Sequence, residues 1–197
     1  MSRITDRRVN KLIEELVPLR YRDPVALQAR CVVDHEPIPQ AALASARFTP
    51  LEVGTRWGSL WDSAWFTFDG IIPPSYAGHE VVALIDIGSE GCLFTDGVPC
   101  CGLTYKRAGN RFERKRRIML ESCASGGERV HLLVEGAANG LFGEHATTGM
   151  DWPYFTLNQA AIAIFDRKAW QVCLDIEFLL QLYESLDPSE PRARKIL

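Results

Sequence analysis

The stretch G-T-R-W-G-S-L-W-D-S-A-W-F-T-F, residues 54–68, places Trp57, Trp61 and Trp65 at every fourth position. The flat face of an indole is a common surface for stacking on a sugar ring, and an indole is equally a large core filler. Carboxylates are the other side chains with chemistry to offer. A glycosidase needs two of them facing one bond, and Asp62, Asp86, Glu90, Asp96, Glu135 and Asp151 are the candidates. Asp96 is accounted for by an Asp-Gly turn, and Asp62 is suited to cap or to bond a backbone amide. No spacing pairs the others. The four histidines, His35, His79, His131 and His145, stand far apart. His131 falls inside a strand pattern, where a satisfied sheet histidine is expected over a metal ligand. H-E-x-x-H, G-x-S-x-G, a glycine-rich phosphate loop and a dinucleotide fingerprint are all missing. The chain is therefore read as holding neither catalytic residues nor a metal site of its own.

Two loops carry further candidates. Asn139-Gly140-Leu141-Phe142-Gly143 reads either as a glycine-permitted turn or as a loop reaching another domain. His145, just beyond it, is placed to line a surface groove. Met150-Asp151-Trp152-Pro153-Tyr154 offers Trp152, which either stacks on sugar or pins its loop against a neighbour, with pinning the favoured role. The candidate residues for carbohydrate binding or interdomain contact are thus Trp57, Trp61, Asn139, Phe142, His145 and Trp152.

The elements that must position these residues follow from periodicity. Val9, Leu12, Ile13, Leu16 and Val17 make one apolar face of a helix over Thr5–Val17, ended by Pro18. A polar connection bearing Pro24, Pro37 and Pro39 is expected next. From Phe48 the period shortens. Ala64, Phe66 and Phe68 alternate with Trp65, Thr67 and Asp69, the pattern of a strand. Further strands are expected in residues 79–88, 117–120, 129–135 and 160–165, and Asp96-Gly97 between apolar runs signals a hairpin. Short strands at close spacing argue a β-sandwich. Glycines and serines around Trp57 and Trp61 disfavour a helix there. Those two rings are expected in a loop entering the sandwich, and Trp65 in the strand. Asp166 caps a final long helix whose apolar residues cover more than one face, so that it needs two surfaces to pack against. The last residues, S-E-P-R-A-R-K-I-L, open like a new helix with its apolar face barely begun, and a longer protein is expected.

Bulk properties exclude other classes. The 197 residues are 47% hydrophobic, enough for a substantial core, and the net charge is −3. A nucleic-acid binder would show a basic excess. The local basic run at residues 111–117 lacks the glycine cradle of a phosphate site and reads as a solvated segment. No apolar run approaches the roughly 18 residues that span a membrane, and the charged N-terminus is no signal peptide. Six cysteines without a C-x-x-C pair read as reduced, small buried hydrophobes of a cytoplasmic compartment.

Five motifs occur in order: R-R-V-N-K-L-I-E-E-L, F-T-P-L-E-V-G-T-R-W-G-S-L-W-D-S-A-W-F, D-I-G-S-E-G-C-L-F-T-D-G-V-P, V-E-G-A-A-N-G-L-F-G and D-R-K-A-W-Q-V-C-L-D-I-E-F-L-L. Together they resemble the N-terminal region of cytosolic and vacuolar α-mannosidases of glycoside hydrolase family 38. The resemblance implies a mainly β fold, a β-sandwich of the galactose-binding jelly-roll type with flanking N- and C-terminal helices. The expected division is an N-terminal helix and connection over 1–46, a sandwich over 47–165, and a C-terminal helix with the start of a linker over 166–197. The family's zinc, or another divalent metal, and its nucleophile are implied in a separate catalytic domain opening on an H-x-H-x-D-type motif, which this chain lacks. No cofactor is expected here. The implied role is a non-catalytic accessory domain that packs on its catalytic domain or on other subunits of a homo-oligomer, leaving an apolar patch exposed. A carbohydrate-binding module is the alternative.

Overall fold

In a computed structural model the described residues are 3–104, 116–139, 155–187 and 190–196. Phe142, His145, Asp151 and Trp152, and most of the basic run, lie outside them. The chain divides into two compact units, Pro24–Ala163 and a second formed by Met1–Asp23 with Ile164–Leu197.

The larger unit is built on antiparallel strands in two sheets, the first and last strands running on into residues 21–23 and 164–165 of the second unit. The strands are β1 (Tyr21–Ala26), β2 (Gln28–Asp34), β3 (Thr49–Pro50), β4 (Ser63–Ile71), β5 (Val81–Asp86), β6 (Glu90–Thr95), β7 (Val98–Leu103), β8 (Arg117–Glu121), β9 (Arg129–Ala137) and β10 (Gln159–Phe165). One sheet runs β3-β2-β4-β9-β6-β7 and the other β1-β10-β5-β8. The result is the mainly β, jelly-roll sandwich expected from the sequence.

The spine of the larger sheet is β4. It pairs along its whole length with β9, from Ser63 opposite Ala137 to Ile71 opposite Arg129, and on its other edge with β2. Its alternation sends Ala64, Phe66 and Phe68 into the core, each fully buried. Cys31, Phe66, Val134 and Leu93 stand in one cross-strand row and are all buried. Every residue of β5 is buried, the mark of a strand covered on both faces. The β6–β7 hairpin is closed by Asp96 and Gly97, both at positive φ, the two-residue turn whose twist matches the strands. The A-S-G-G link carries the chain from β8 in one sheet to β9 in the other. A Cβ on Gly126 would come 2.8 Å from Pro74 Cα, which is why a glycine stands there.

Two expectations need correction. The polar connection holds β1 and β2. Its strands are hard to read because the buried positions of β2 are the small Ala29 and Cys31, and because β1 contains Asp23-Pro24, with Asp23 left-handed at φ 52°. No disulfide joins the six cysteines, but only Cys31 and Cys173 are buried, while Cys100 and Cys123 are exposed. The residue extra to the β6–β7 register falls between Pro99 and Cys101, and that residue is Cys100.

The second unit is helical. Helix α1 (Arg3–Leu16) is followed by a 3-10 turn, Val17–Arg20, and α2 (Arg167–Ser185) by the short α3 (Pro191–Ile196). Asp166 organises it. Its carboxylate accepts the Ala169 amide as the cap of α2, its own amide donates to the Arg20 carbonyl, and Arg22 lies 3.8 Å away. Tyr21 stacks on Phe165 at 5.8 Å, and Trp170 meets the same ring edge-on at 6.0 Å. On α2, Cys173, Leu180 and Tyr183 are buried. The adjoining arc of Val172, Phe178, Leu179 and Leu182 is exposed, Phe178 to 62%. The helix therefore has the two apolar faces its sequence predicts, and one is uncovered. Leu12 of α1, assigned to its apolar face, is also exposed.

Candidate functional site

The three tryptophans of the opening stretch meet three different environments. Residues 54–57 are stitched to 155–157. The Gly54 amide donates to Leu157 O, Leu157 returns a bond to Thr55 O, and the Trp57 amide donates to Phe155 O at 2.7 Å. This draws Trp57 into the core, where it is 7% exposed. Its indole N–H donates to Ile87 O at 2.7 Å, and its ring meets Phe66 edge-on at 5.0 Å and Phe155 at 5.8 Å. A buried indole needs such a partner for its one donor. Trp65 lies in β4 and is also buried. Its indole N–H donates to Ile38 O at 2.8 Å and its ring lies 4.9 Å from Phe94.

Trp61 stands apart. It is 61% exposed, and its backbone is left-handed at φ 74°. A bulky residue rarely occupies that region, which costs roughly 1–2 kcal/mol. Its surroundings hold it there. The Trp61 amide donates to Ala138 O and the Ala138 amide to Asp62 O, both at 2.8 Å, extending the β4–β9 ladder past Ser63. Asp62 Oδ2 accepts the Ser59 amide at 2.8 Å, and the Asp62 amide donates to Ser59 O at 3.0 Å. Asp62 Oδ1 lies 3.2 Å from Nδ1 of His35. The Ser59 amide bond, and after it the His35 contact, holds the Asp62 carboxyl below its ordinary range.

Of the sequence candidates, the structure thus buries Trp57, exposes Trp61, and leaves Asn139 exposed one residue beyond Ala138, the backbone partner of Trp61. Sequence reasoning missed His35. It sits 27 residues from Asp62 in the supposed connection, and no local pattern joins the two.

Three of the five described carboxylate candidates, Asp62, Asp86 and Asp96, have structural occupations. Asp86 is buried and its Oδ1 accepts the Gly88 amide at 3.0 Å and the Asn158 side-chain amide at 3.2 Å. Asp96 forms its turn. His131, within β9, lies 2.6 Å from Asp69 directly across the sheet. Among the described residues no three His, Cys, Asp or Glu side chains gather in a way that could hold a metal ion. None of the described helices is long and apolar enough to cross a membrane.

Comparison with known proteins supplies the family. The profile of the alpha-mannosidase jelly roll domain matches residues 23–163, nearly the same span as the compact unit Pro24–Ala163. Alpha-mannosidase 2C1 of Mus musculus is 28% identical over 206 residues, covering 99% of this chain and 19% of its own length. The Homo sapiens protein of the same name is 28% identical over 215 residues, covering 99% of this chain and 20% of its own length. The chain spans about a fifth of the length of these relatives. The resemblance carried by the five motifs is therefore borne out, and the chain belongs to the alpha-mannosidase jelly roll domain family.

Proposed function

We propose that this chain serves as a non-catalytic accessory domain of an α-mannosidase and works by packing against other parts of that enzyme. The observation that carries the reading is the uncovered apolar arc of α2, formed by Val172, Phe178, Leu179 and Leu182. Exposed apolar patches of this kind mark interaction surfaces. On this reading, hydrolysis of terminal α-mannosides, the zinc or other divalent metal and the nucleophile belong to a catalytic domain, and the same arc or its neighbours serve contacts between subunits. Asp62, Asp86 and Asp96 support the reading, because they serve backbone amides and turns. A reducing, cytoplasmic setting is part of the proposal and is supported by the exposed thiols of Cys100 and Cys123, neither of them in a disulfide.

The test is co-elution of this chain with an α-mannosidase of the same family deleted for its own jelly roll. We expect a complex that Leu179→Glu abolishes while the melting temperature of the isolated chain stays the same. No complex, or one indifferent to Leu179→Glu, contradicts the packing role. Direct carbohydrate binding is a second reading with its own observation, the exposure of Trp61. The two readings use different surfaces.

A further inference from the structure

We propose that Trp61 is the stacking platform of a shallow hexopyranoside site, on the loop that the Ser59–Asp62–His35 cluster braces. The proposal rests on the carbohydrate reading of the jelly roll and is independent of the packing role of α2.

Three observations carry it. The first is strain. Trp61 occupies a left-handed backbone conformation that glycine would take freely, and strained residues that persist point to function at that position. The second is rigidity. Five hydrogen bonds and polar contacts involving Ser59, Trp61, Asp62, Ala138 and His35 fix the loop on both sides of the ring. A preorganised platform pays little ordering entropy on binding. The third is exposure in a polar loop. The ring is 61% exposed. Its loop neighbours are Gly58, Ser59 and Asp62, and Asn139 and the largely exposed His35 adjoin the same hydrogen-bonded cluster. An exposed indole bordered by polar side chains suits a pyranose, which presents one face of C–H groups and an edge of hydroxyls. A protein-docking anchor would instead sit in a dry apolar patch.

A single ring predicts weak binding, with a dissociation constant on the order of 1–10 mM. The experiment is titration of the 15N-labelled 197-residue chain with methyl α-D-mannopyranoside, following the indole N–H resonances by NMR. One of the five should move along a saturating curve, and it should be the resonance missing from Trp61→Gly. The buried indoles of Trp57 and Trp65 should not respond. Trp61→Gly keeps the left-handed backbone without strain, so the fold survives while affinity falls at least about tenfold. His35→Ala should weaken binding by roughly two- to fivefold. The proposal is overturned by no saturable shift, by a shift that survives Trp61→Gly, or by an equal response to the acyclic polyol sorbitol. None of these results bears on the complex tested through Leu179→Glu, so the two readings fail separately.

Discussion

Trp57 and Trp61 share one loop, four residues apart, yet the fold treats them as opposites. Trp57 has an extensive set of core partners, with an indole N–H bonded inward and two aromatic rings against its edges. Trp61 has an outward ring and a backbone held in a strained conformation by bonds to a neighbouring strand. The difference teaches that residue type and spacing do not decide what a tryptophan is for. The long-range hydrogen bonds of the flanking backbone decide it.

The comparison is broken most sharply at Trp57. Replacing it with alanine empties a core site and should cost about 3–5 kcal/mol, read as a large drop in denaturation midpoint. Trp57→Phe keeps much of the bulk and removes the donor to Ile87 O, so a loss of about 1–3 kcal/mol is expected. At Trp61 the same measurement should barely move. In Trp61→Gly the relief of left-handed strain, roughly 1–2 kcal/mol, is offset by the greater entropy of the unfolded glycine chain, roughly 0.4–1 kcal/mol. The net change should stay within about 1.5 kcal/mol. A cost at Trp61 matching that at Trp57 would show that its ring is a structural element after all.

A smaller effect concerns pH. The folded Asp62 carboxyl titrates below the ordinary carboxylate range because the Ser59 amide and His35 favour its charged form. A depressed folded pKa contributes stability above the unfolded value and loses it as pH falls through the folded one. Melting curves taken from about pH 5 down to pH 2 should therefore fall less steeply in Asp62→Asn than in the parent chain. Equal slopes would mean that the Ser59–Asp62–His35 cluster does not tighten the Trp61 loop.

Much of this was legible in the sequence, and particular residues show why. The alternation of Ala64, Phe66 and Phe68, the Asp96-Gly97 turn and the Asp166 cap are local signals, and each stands where the pattern put it. The two apolar faces of α2 were readable from composition alone. The strands β1 and β2 were hidden because Asp23-Pro24 mimics a turn and because the inward positions of β2 are small. The candidate site was only half legible. That Trp61 is exposed depends on Ala138, and the Asp62 contact depends on His35, partners that no short-range pattern connects. Trp57 stood as a carbohydrate or interdomain candidate for the same reason, since its partner Ile87 lies 30 residues away.

The proposed reading is that this jelly roll does no glycoside chemistry itself. Its most direct test is the hydrolysis of p-nitrophenyl α-D-mannopyranoside by the purified 197-residue chain, with and without added zinc. The account predicts no release of nitrophenol above the buffer blank. Turnover by the chain that disappears on substituting one of its own carboxylates would contradict it.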